Sequence, residues 1–364
     1  MAGSMSIVAV AKRAGVSVAT VSRVLNDLDN VRAETAEQVR AAMREIGYKP
    51  PRIKRGPKGG PRRVVPPWMR TGQISVITVG GIQRTWLGLP VMATVVSGIT
   101  RAASELDLRL LLEEMPDSSV ISPALRRREV DGAIVFVHSG VPEAHIARFR
   151  EHGPTVWVMG GEGGVPQIDH VTADNIGIGS LAHKYLAEQG CRSVAYLTDE
   201  PTWPLIRLRG QSFANAAWDA GHRVTSFVLG ADPRRLAPYG PDVHHADSLD
   251  ALVDQLASMK PRPDGLFLPT DYLTTRVYPL LLLRGIRPQI DIKIISCDNE
   301  QERLEMLNPR PTSIDIGGEQ IGRLAVRQLV QRLQRPNDPI VQIQVAPKIA
   351  PAEQVDRRHH AAAQ

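Results

Sequence analysis

The chain has 364 residues, of which 43% are hydrophobic and 23% charged, and these proportions are ordinary for a soluble globular protein with a sizeable core. No apolar run approaches the roughly 18 residues of a membrane span, and the first ten residues lack the basic start and long apolar segment of an export signal. These features favour a protein that neither spans a membrane nor is exported, and they predict a cytoplasmic location. Cys191 and Cys297 are too few and too distant for a disulfide framework, a metal site or a redox pair, so we expect both to be buried.

The formal net charge of +6 is unevenly distributed along the chain. Residues 1–72 carry 14 Lys and Arg against 5 Asp and Glu, which gives +9, whereas the remainder carries 30 against 33, which gives −3. Basic residues concentrated at one end predict an anionic partner for that end.

The stretch from Ser6 to Asn26 predicts two short helices joined by a tight turn. Ser6 is a suitable N-cap for the first helix, and Gly15 ends that helix by adopting the left-handed conformation open to glycine. Ser17 then caps the second helix. Apolar residues recur at the helical spacing and predict the two inward faces, which are Ile7, Val10, Ala11 and Ala14 in the first helix and Val21, Val24 and Leu25 in the second.

The outward face of the second helix is small, polar and singly basic. Such a face suits a DNA major groove, because short side chains let the helix approach base edges, hydroxyls can contact phosphates and Arg23 can pair bidentately with guanine. The residues predicted to contact DNA here are Ser17, Val18, Ala19, Thr20, Ser22, Arg23 and Asn26. On pattern alone, a helical hairpin from an unrelated small bundle stays open as an alternative.

A third amphipathic helix is predicted from Asn30 to Ile46, where it would close a three-helix core. The series AxxAGVSxATVSRVLN, followed by this helix and by IGYKP, closely resembles the DNA-binding headpiece of the lactose-repressor (LacI/GalR) family of bacterial transcription regulators. The resemblance implies a helix-turn-helix headpiece over residues 1–49. Ala9 stands where the family usually has an acidic residue and Arg32 where it usually has a capping serine, and we expect each change to cost about 1 kcal/mol.

Residues 50–72 form a predicted basic linker. The segment 49–70 has eight basic residues, no acidic residues and repeated Pro and Gly, which predicts an extended, solvated chain. The hinge helix usual in the family, with its Ala-Arg-x-Leu type pattern, is not evident in this segment. Arg62 and Arg63 are predicted to contact phosphates or a narrow minor groove, and an inert flexible tether is the alternative.

From Gln73 onward, short apolar runs alternate with helical segments. Such runs are typical of parallel strands covered by helices on both faces, and their alternation predicts doubly wound sheets. Two sheets of about five strands fit this pattern better than one sheet of ten. The predicted strands are 74–79, 108–114, 132–137, 155–160, 193–197, 222–229, 264–269 and 292–297, and the predicted helices are 90–106, 179–189, 208–220, 248–259, 271–283 and 318–333.

Residues 73–350 resemble the periplasmic-binding-protein-like effector domain of the same family. The segments that carry this resemblance are VDGAIVF from Val130, DNIGIGSLAHKYLAEQGCRSVAYL from Asp174, RxxSF from Arg209, SCDN from Ser296 and PTSIDIGGEQIGRLAV from Pro311. The expected fold is therefore α/β, with an N-terminal three-helix helix-turn-helix headpiece and a two-lobed periplasmic-binding-protein-like domain of two doubly wound parallel sheets. Residues 351–364 form a polar tail without a leucine heptad.

Two such lobes leave a cleft at the carboxyl ends of their strands, where a small ligand can bind. Asp271 and Asp298 each follow an apolar strand and are predicted at the mouth of this cleft, although Asp271 could instead cap the helix that it opens. The resemblance implies effector contacts at Arg209 and Asp298, commonly hydrogen bonds to sugar hydroxyls. The predicted effector-binding residues are Trp86, Pro90, Arg209, Asp271 and Asp298.

Trp86 and Pro90 lie in WLGLPVM, residues 86–92, which replaces the segment that lines the pocket in relatives. The indole of Trp86 can stack on a sugar ring. Packing at a dimer contact or over a sheet edge is the alternative for this side chain, so the identity of the ligand stays open.

The sequence predicts no catalytic residue, no cofactor and no metal, because the histidines fall in predicted loops and in the tail without partners at metal-ligand spacing. It predicts a homodimeric transcriptional regulator, a repressor, that binds a near-palindromic operator in double-stranded DNA and responds to a small carbohydrate effector. Three alternatives stay open. They are a regulator of this fold that needs no small molecule, a solute-binding protein, and a sugar-processing enzyme with a fused DNA-binding unit.

Overall fold

A computed structural model of the chain describes residues 6–25, 31–48, 65–79, 90–115, 119–137, 143–160, 168–230 and 242–352. The chain divides into two compact units, Met1–Val64 and Val65–Gln364. Four predicted site residues lie outside the described residues, namely Asn26, Arg62, Arg63 and Trp86. Most of the predicted linker, residues 50–64, and most of the predicted tail, residues 353–364, also lie outside them.

The first unit contains the three predicted helices, α1 (Ile7–Ala14), α2 (Val18–Leu25) and α3 (Ala33–Glu45). As predicted, the Ser6 hydroxyl caps α1 by accepting a hydrogen bond from the backbone N–H of Ala9 at 3.3 Å. Gly15 ends α1 with φ +66°, a left-handed conformation that a residue with a Cβ adopts only with strain.

The core of the first unit is built from one fully buried valine in each helix, namely Val10, Val21 and Val39. An exposed ion pair between Arg13 and Glu45 joins α1 to α3. Arg32 makes no side-chain cap on α3, which agrees with the cap expected to be lost at this position.

The second unit contains two sheets. Their strands are β1 (Gln73–Val79), β2 (Arg109–Met115), β3 (Gly132–Val137), β4 (Thr155–Val158), β5 (Asp169–Ala173), β6 (Ser193–Thr198), β7 (Arg223–Leu229), β8 (Val243–Ala246), β9 (Gly265–Phe267), β10 (Lys293–Cys297), β11 (Thr312–Asp315), β12 (Gln342–Val345) and β13 (Lys348–Ala350). The six-stranded sheet A has the order β12-β5-β4-β3-β1-β2, and the seven-stranded sheet B has the order β13-β11-β10-β9-β6-β7-β8. Among these described strands β13 runs antiparallel to β11, and the other pairs are parallel.

Helices lie between most of the strands and cover the sheets. They are α4 (Pro90–Glu105), α5 (Pro123–Arg126), α6 (Glu143–His152), α7 (Asn175–Glu188), α8 (Pro204–Asp219), α9 (Leu249–Ser258), α10 (Asp271–Leu283), α11 (Gln301–Leu304) and α12 (Gly318–Gln334). Sheet A with α4, α5, α6 and α12 forms lobe 1, and sheet B with α7 to α11 forms lobe 2. The chain passes between the lobes after β5, after β11 and after β12.

The prediction of two lobes is confirmed. Five strands lie in segments that were not predicted as strands, and these are β5, β8, β11, β12 and β13. These strands are short or polar, as in DHVTA of β5 and QIQV of β12, so they lack the apolar run that marks a central strand. The expectation that histidines lie in loops is also wrong, because β5 contains His170 and β8 contains His244 and His245. Both cysteines are buried, as expected.

No described helix is both long enough and apolar enough to cross a membrane.

Candidate DNA-binding surface and effector site

Helix α2 presents the outward face that the sequence predicts. Val18 is 42% exposed although it is apolar, and the side chains of Ala19 and Arg23 are exposed beside it. Val21 and Val24 point the other way and are buried in the core of the first unit. The structure therefore leaves the amino-terminal part of this face available to a partner.

Ser17 and Thr20 fix the first turn of α2. The Ser17 Oγ accepts a hydrogen bond from the backbone N–H of Thr20 at 3.1 Å, and it lies 2.9 Å from the Thr20 Oγ1. Ser17 is exposed, whereas Thr20 and Ser22 are half-buried. Ser17 thus already has a structural role as a helix cap, beside any contact that its hydroxyl makes with a phosphate.

In lobe 2, Arg209 is buried at the carboxyl ends of the strands. Its Nε donates a hydrogen bond to Asn175 Oδ1 at 3.0 Å, and its guanidinium donates to the Pro269 carbonyl at 2.6 Å and to Asp298 Oδ1 at 3.0 Å. Arg209 is only 1% exposed. It therefore connects α7 and α8 to the segments that follow β9 and β10, and it holds the Asp298 carboxylate in place.

Asp271 occupies a different position from the one predicted. It is fully buried, and its carboxylate accepts hydrogen bonds from the Ser296 hydroxyl, from the Ser313 hydroxyl at 2.9 Å and from the Glu300 backbone N–H at 2.6 Å. The cap of α10 is Thr270, not Asp271. Asp271 therefore joins three segments of lobe 2 behind the cleft, because these distant donors together outcompete the local cap.

Burial raises the pKa of Asp271 well above its ordinary range, and the nearby Asp298 carboxylate raises it further. The pKa of Glu300 is raised for the same two reasons, first by burial and then by Asp298. Asp298 is the member of this acidic group that carries an ion pair with Arg209. Asp298 and Glu300 thus each pair with an arginine and line the cavity, whereas Asp271 is held by two hydroxyls and a backbone N–H.

Pro90 and Asp298 lie on the walls of one cavity of about 670 Å³. Lobe 1 contributes the amino-terminal turns of α4 and α12, and lobe 2 contributes residues 298–302. The lobes touch here, since the Val91 backbone N–H donates to Glu300 Oε1 at 3.1 Å. The structure thus brings two of the predicted effector residues to one cavity and leaves Arg209 and Asp271 behind its wall.

The part of the chain that the structure describes contains no group of three or more His, Cys, Asp or Glu side chains placed to hold a metal ion.

Two family models match separate parts of the chain. The model of bacterial regulatory proteins of the lacI family matches residues 6–51, and a periplasmic binding protein-like domain matches residues 183–352. The chain thus combines a lacI-family DNA-binding domain with a periplasmic binding protein-like domain.

Similar proteins extend these matches along nearly the whole chain. The HTH-type transcriptional regulator CelR of Thermobifida fusca is 28% identical over 331 residues, which are 89% of this chain and 90% of CelR. A solved complex of CelR with cellobiose aligns with a TM-score of 0.63 at 25% identity and covers 95% of this chain and 98% of that one. The lac repressor dimer bound to operator and the anti-inducer ONPF shares the fold, with a TM-score of 0.58 at 19% identity over 94% of this chain and 96% of that one.

The matched domains and the similar proteins identify the chain as a DNA-binding transcriptional regulator. Sequence reasoning missed two residues of its lobe 2 site, Asn175 and Glu300. Asn175 lies inside a segment that carries the family resemblance, and Glu300 follows the SCDN segment directly. The family resemblance could therefore have pointed to both positions. Their contacts could not be predicted, because Asn175 bonds to Arg209 and Glu300 bonds to Val91, which lie on other elements.

Proposed function

We propose that this protein is a repressor that binds a near-palindromic operator as a homodimer and that a carbohydrate effector changes its affinity for the operator. The observation that supports DNA binding is the exposed face of α2. Val18 and Arg23 are exposed on this face, while the opposite face of the helix is buried in the core. A single three-helix unit offers little contact area, so a symmetric dimer with two recognition helices fits specific binding better.

Selection of operators from random duplex DNA, followed by fluorescence anisotropy on the winning sequence, tests this proposal. The Arg23→Ala variant should lose about 1 to 3 kcal/mol of binding free energy and accept more bases at one position of each half-site. Arg44→Ala is the matched control, because Arg44 is an exposed arginine on α3. Equal weakening on all DNA sequences would assign Arg23 to a phosphate, and selection without any enriched sequence would contradict the proposal.

Asp298 supports a carbohydrate effector. Its carboxylate is held by Arg209 at 3.0 Å and lines the cavity between the lobes, where it can accept hydrogen bonds from ligand hydroxyls. The related CelR was solved as a complex with cellobiose. Pro90 contributes an apolar wall to the same cavity, and Trp86, which lies outside the described residues, stays a prediction.

A thermal-shift screen of the whole protein against neutral sugars, sugar acids, sugar phosphates and nucleobases tests the effector. A ligand at 100 times its dissociation constant adds about 2.7 kcal/mol to the free energy of unfolding, which is readily measured. The shift should vanish in Asp298→Asn and persist in Asp219→Ala, an exposed carboxylate at the end of α8. A panel without any stabilising compound would favour the regulator that needs no small molecule.

A further inference from the structure

Lobe 1 contains a second cavity, of about 870 Å³, at the opposite end of sheet A from the carboxyl ends of its strands. Its walls come from the segments that lead into β1, β3, β4, β5 and β12 and from the end of α12. None of its lining residues lines the cavity beside Asp298. It is therefore a separate site, and no role in effector binding or DNA binding accounts for it.

Two carboxylates in this second cavity are already engaged. Asp169 receives two hydrogen bonds from Arg332 at 2.8 Å each. Asp131 accepts hydrogen bonds from the backbone N–H groups of Arg70 at 2.8 Å and of Gly72 at 2.7 Å. Because these acids have their donors, they do not need a cation from a ligand.

Two guanidiniums in the cavity remain available. Within the described residues, neither Arg128 nor Arg150 has a hydrogen-bonding or ion-pairing partner for its side chain, and both are exposed at the cavity wall. The Arg70 guanidinium lies next to Arg128, since it donates to the Arg128 carbonyl. Two further carboxylates line the cavity. Glu151 is exposed, and Asp338 is half-buried and interacts with the Arg332 guanidinium. The available charge is therefore mainly positive and suits a small anion.

The rest of the cavity wall has polar side chains, among them Thr155 and Asn337, and also apolar ones. The indole of Trp68 packs partly buried against the core of lobe 1, and Ile168 and Leu333 line the same space. An aromatic face beside guanidiniums accommodates a flat apolar group that carries a negative charge. A cavity of about 870 Å³ has room for a small molecule.

We propose that this second cavity binds a small planar organic anion, an aromatic carboxylate or an aryl phosphate. The ring lies against Trp68, and the anionic group pairs with Arg128 and Arg150. Trp68 and Arg70 lie at the start of the second unit, and Asp131 holds this part of the chain by accepting a hydrogen bond from the Arg70 backbone N–H. An occupied cavity therefore stabilises the start of the second unit and provides the regulator with an input independent of Asp298.

Ligand-observed NMR and calorimetry on the full-length protein test the proposal with benzoate, salicylate and phenyl phosphate as probes. Benzamide is the matched uncharged compound. At least one anionic probe should bind at concentrations up to about 10 mM, and benzamide should bind more weakly. Arg150→Gln should weaken the anionic probe about tenfold, as loss of a charge-assisted hydrogen bond does, and Trp68→Leu should weaken every probe.

Two control variants separate this cavity from other sites. Arg126→Gln removes an exposed arginine on α5 that does not line the cavity, and Asp298→Asn changes the effector site; both should bind the probe as the wild type does. Absence of binding by all three anions, or binding that Arg150→Gln leaves unchanged, would overturn the proposal. So would operator binding that Arg150→Gln weakens while no probe binds, because the arginines would then contact DNA phosphates.

Discussion

Replacing Arg209 by methionine tests whether this buried arginine holds lobe 2 together at the cleft. Methionine keeps an unbranched side chain of similar length but removes every donor. Asn175 Oδ1, the Pro269 carbonyl and Asp298 Oδ1 then each lose the hydrogen bond that they accept from Arg209. Asp298 also loses its cation in a place where its side chain is only 9% exposed.

The magnitude follows from these contacts. Removing one partner of a buried ion pair costs about 3 to 5 kcal/mol, because the other charge stays buried without compensation. Arg209→Lys retains the positive charge for Asp298 but cannot also reach every acceptor. We expect it to cost about 1 to 3 kcal/mol, the range for one buried group left unsatisfied.

Urea unfolding of the full-length variants, followed by tryptophan fluorescence and circular dichroism, measures both free energies. Arg207→Met is the matched control, because Arg207 is an exposed arginine on the same helix. The expected order of stability is wild type and Arg207→Met, then Arg209→Lys, then Arg209→Met. A loss below about 1 kcal/mol for Arg209→Met would refute the structural role and leave Arg209 as a ligand contact alone.

Three further predictions concern the two units separately. Burial raises the pKa of Asp169, but hydrogen bonds from Arg332, Gln328 and the Val341 backbone N–H, with the charge of Arg332, together outweigh burial and leave the pKa below its ordinary range. The resulting stability is present above about pH 4 and is lost as the pH falls through the folded pKa. In urea unfolding between pH 5 and pH 2, Asp169→Asn should therefore be less stable than the wild type at pH 5 and lose less stability on acidification, and parallel curves would contradict this. Ser17→Ala should cost about 1 kcal/mol in the first unit, seen as amide hydrogen exchange about fivefold faster in α2; unchanged exchange would show that the cap is dispensable. Gly179→Ala should lower the free energy of unfolding by more than about 1 kcal/mol, because the new Cβ would stand 2.0 Å from the Ser212 Oγ, and an unchanged urea midpoint would count against this packing.

The sequence predicts elements best where local chemistry and tertiary packing agree. Helix α10 runs from Asp271 to Leu283, as predicted, because Thr270 caps it and an apolar series follows. The strand β3 at 132–137 also has its predicted bounds, since both of its faces are buried and the run is continuous. In contrast, β8 at 243–246 has half-buried, polar residues at the edge of sheet B, so its sequence resembles a loop.

Prediction from local sequence has the same limit at the candidate effector site. Asp298 is predictable because it follows an apolar strand and matches a family segment, and the structure does place it on a cavity wall. The role of Asp271 is not predictable in this way, because its donors come from Ser296 and Ser313, which lie 25 and 42 residues further along the chain. A local pattern can suggest a cap or a cleft position, whereas a buried acceptor for several distant donors is defined only by the folded chain.

Titration of a labelled operator with the full-length protein, with and without the ligand found by thermal shift, measures whether the effector site controls DNA binding. We expect the ligand to change operator affinity about 5- to 150-fold in the wild type, the usual range of allosteric coupling. We also expect no such change in Asp298→Asn, whose operator affinity without ligand should equal that of the wild type. Operator affinity that stays constant while the ligand binds beside Asp298 would contradict such control, because binding at the cleft would then not be coupled to DNA.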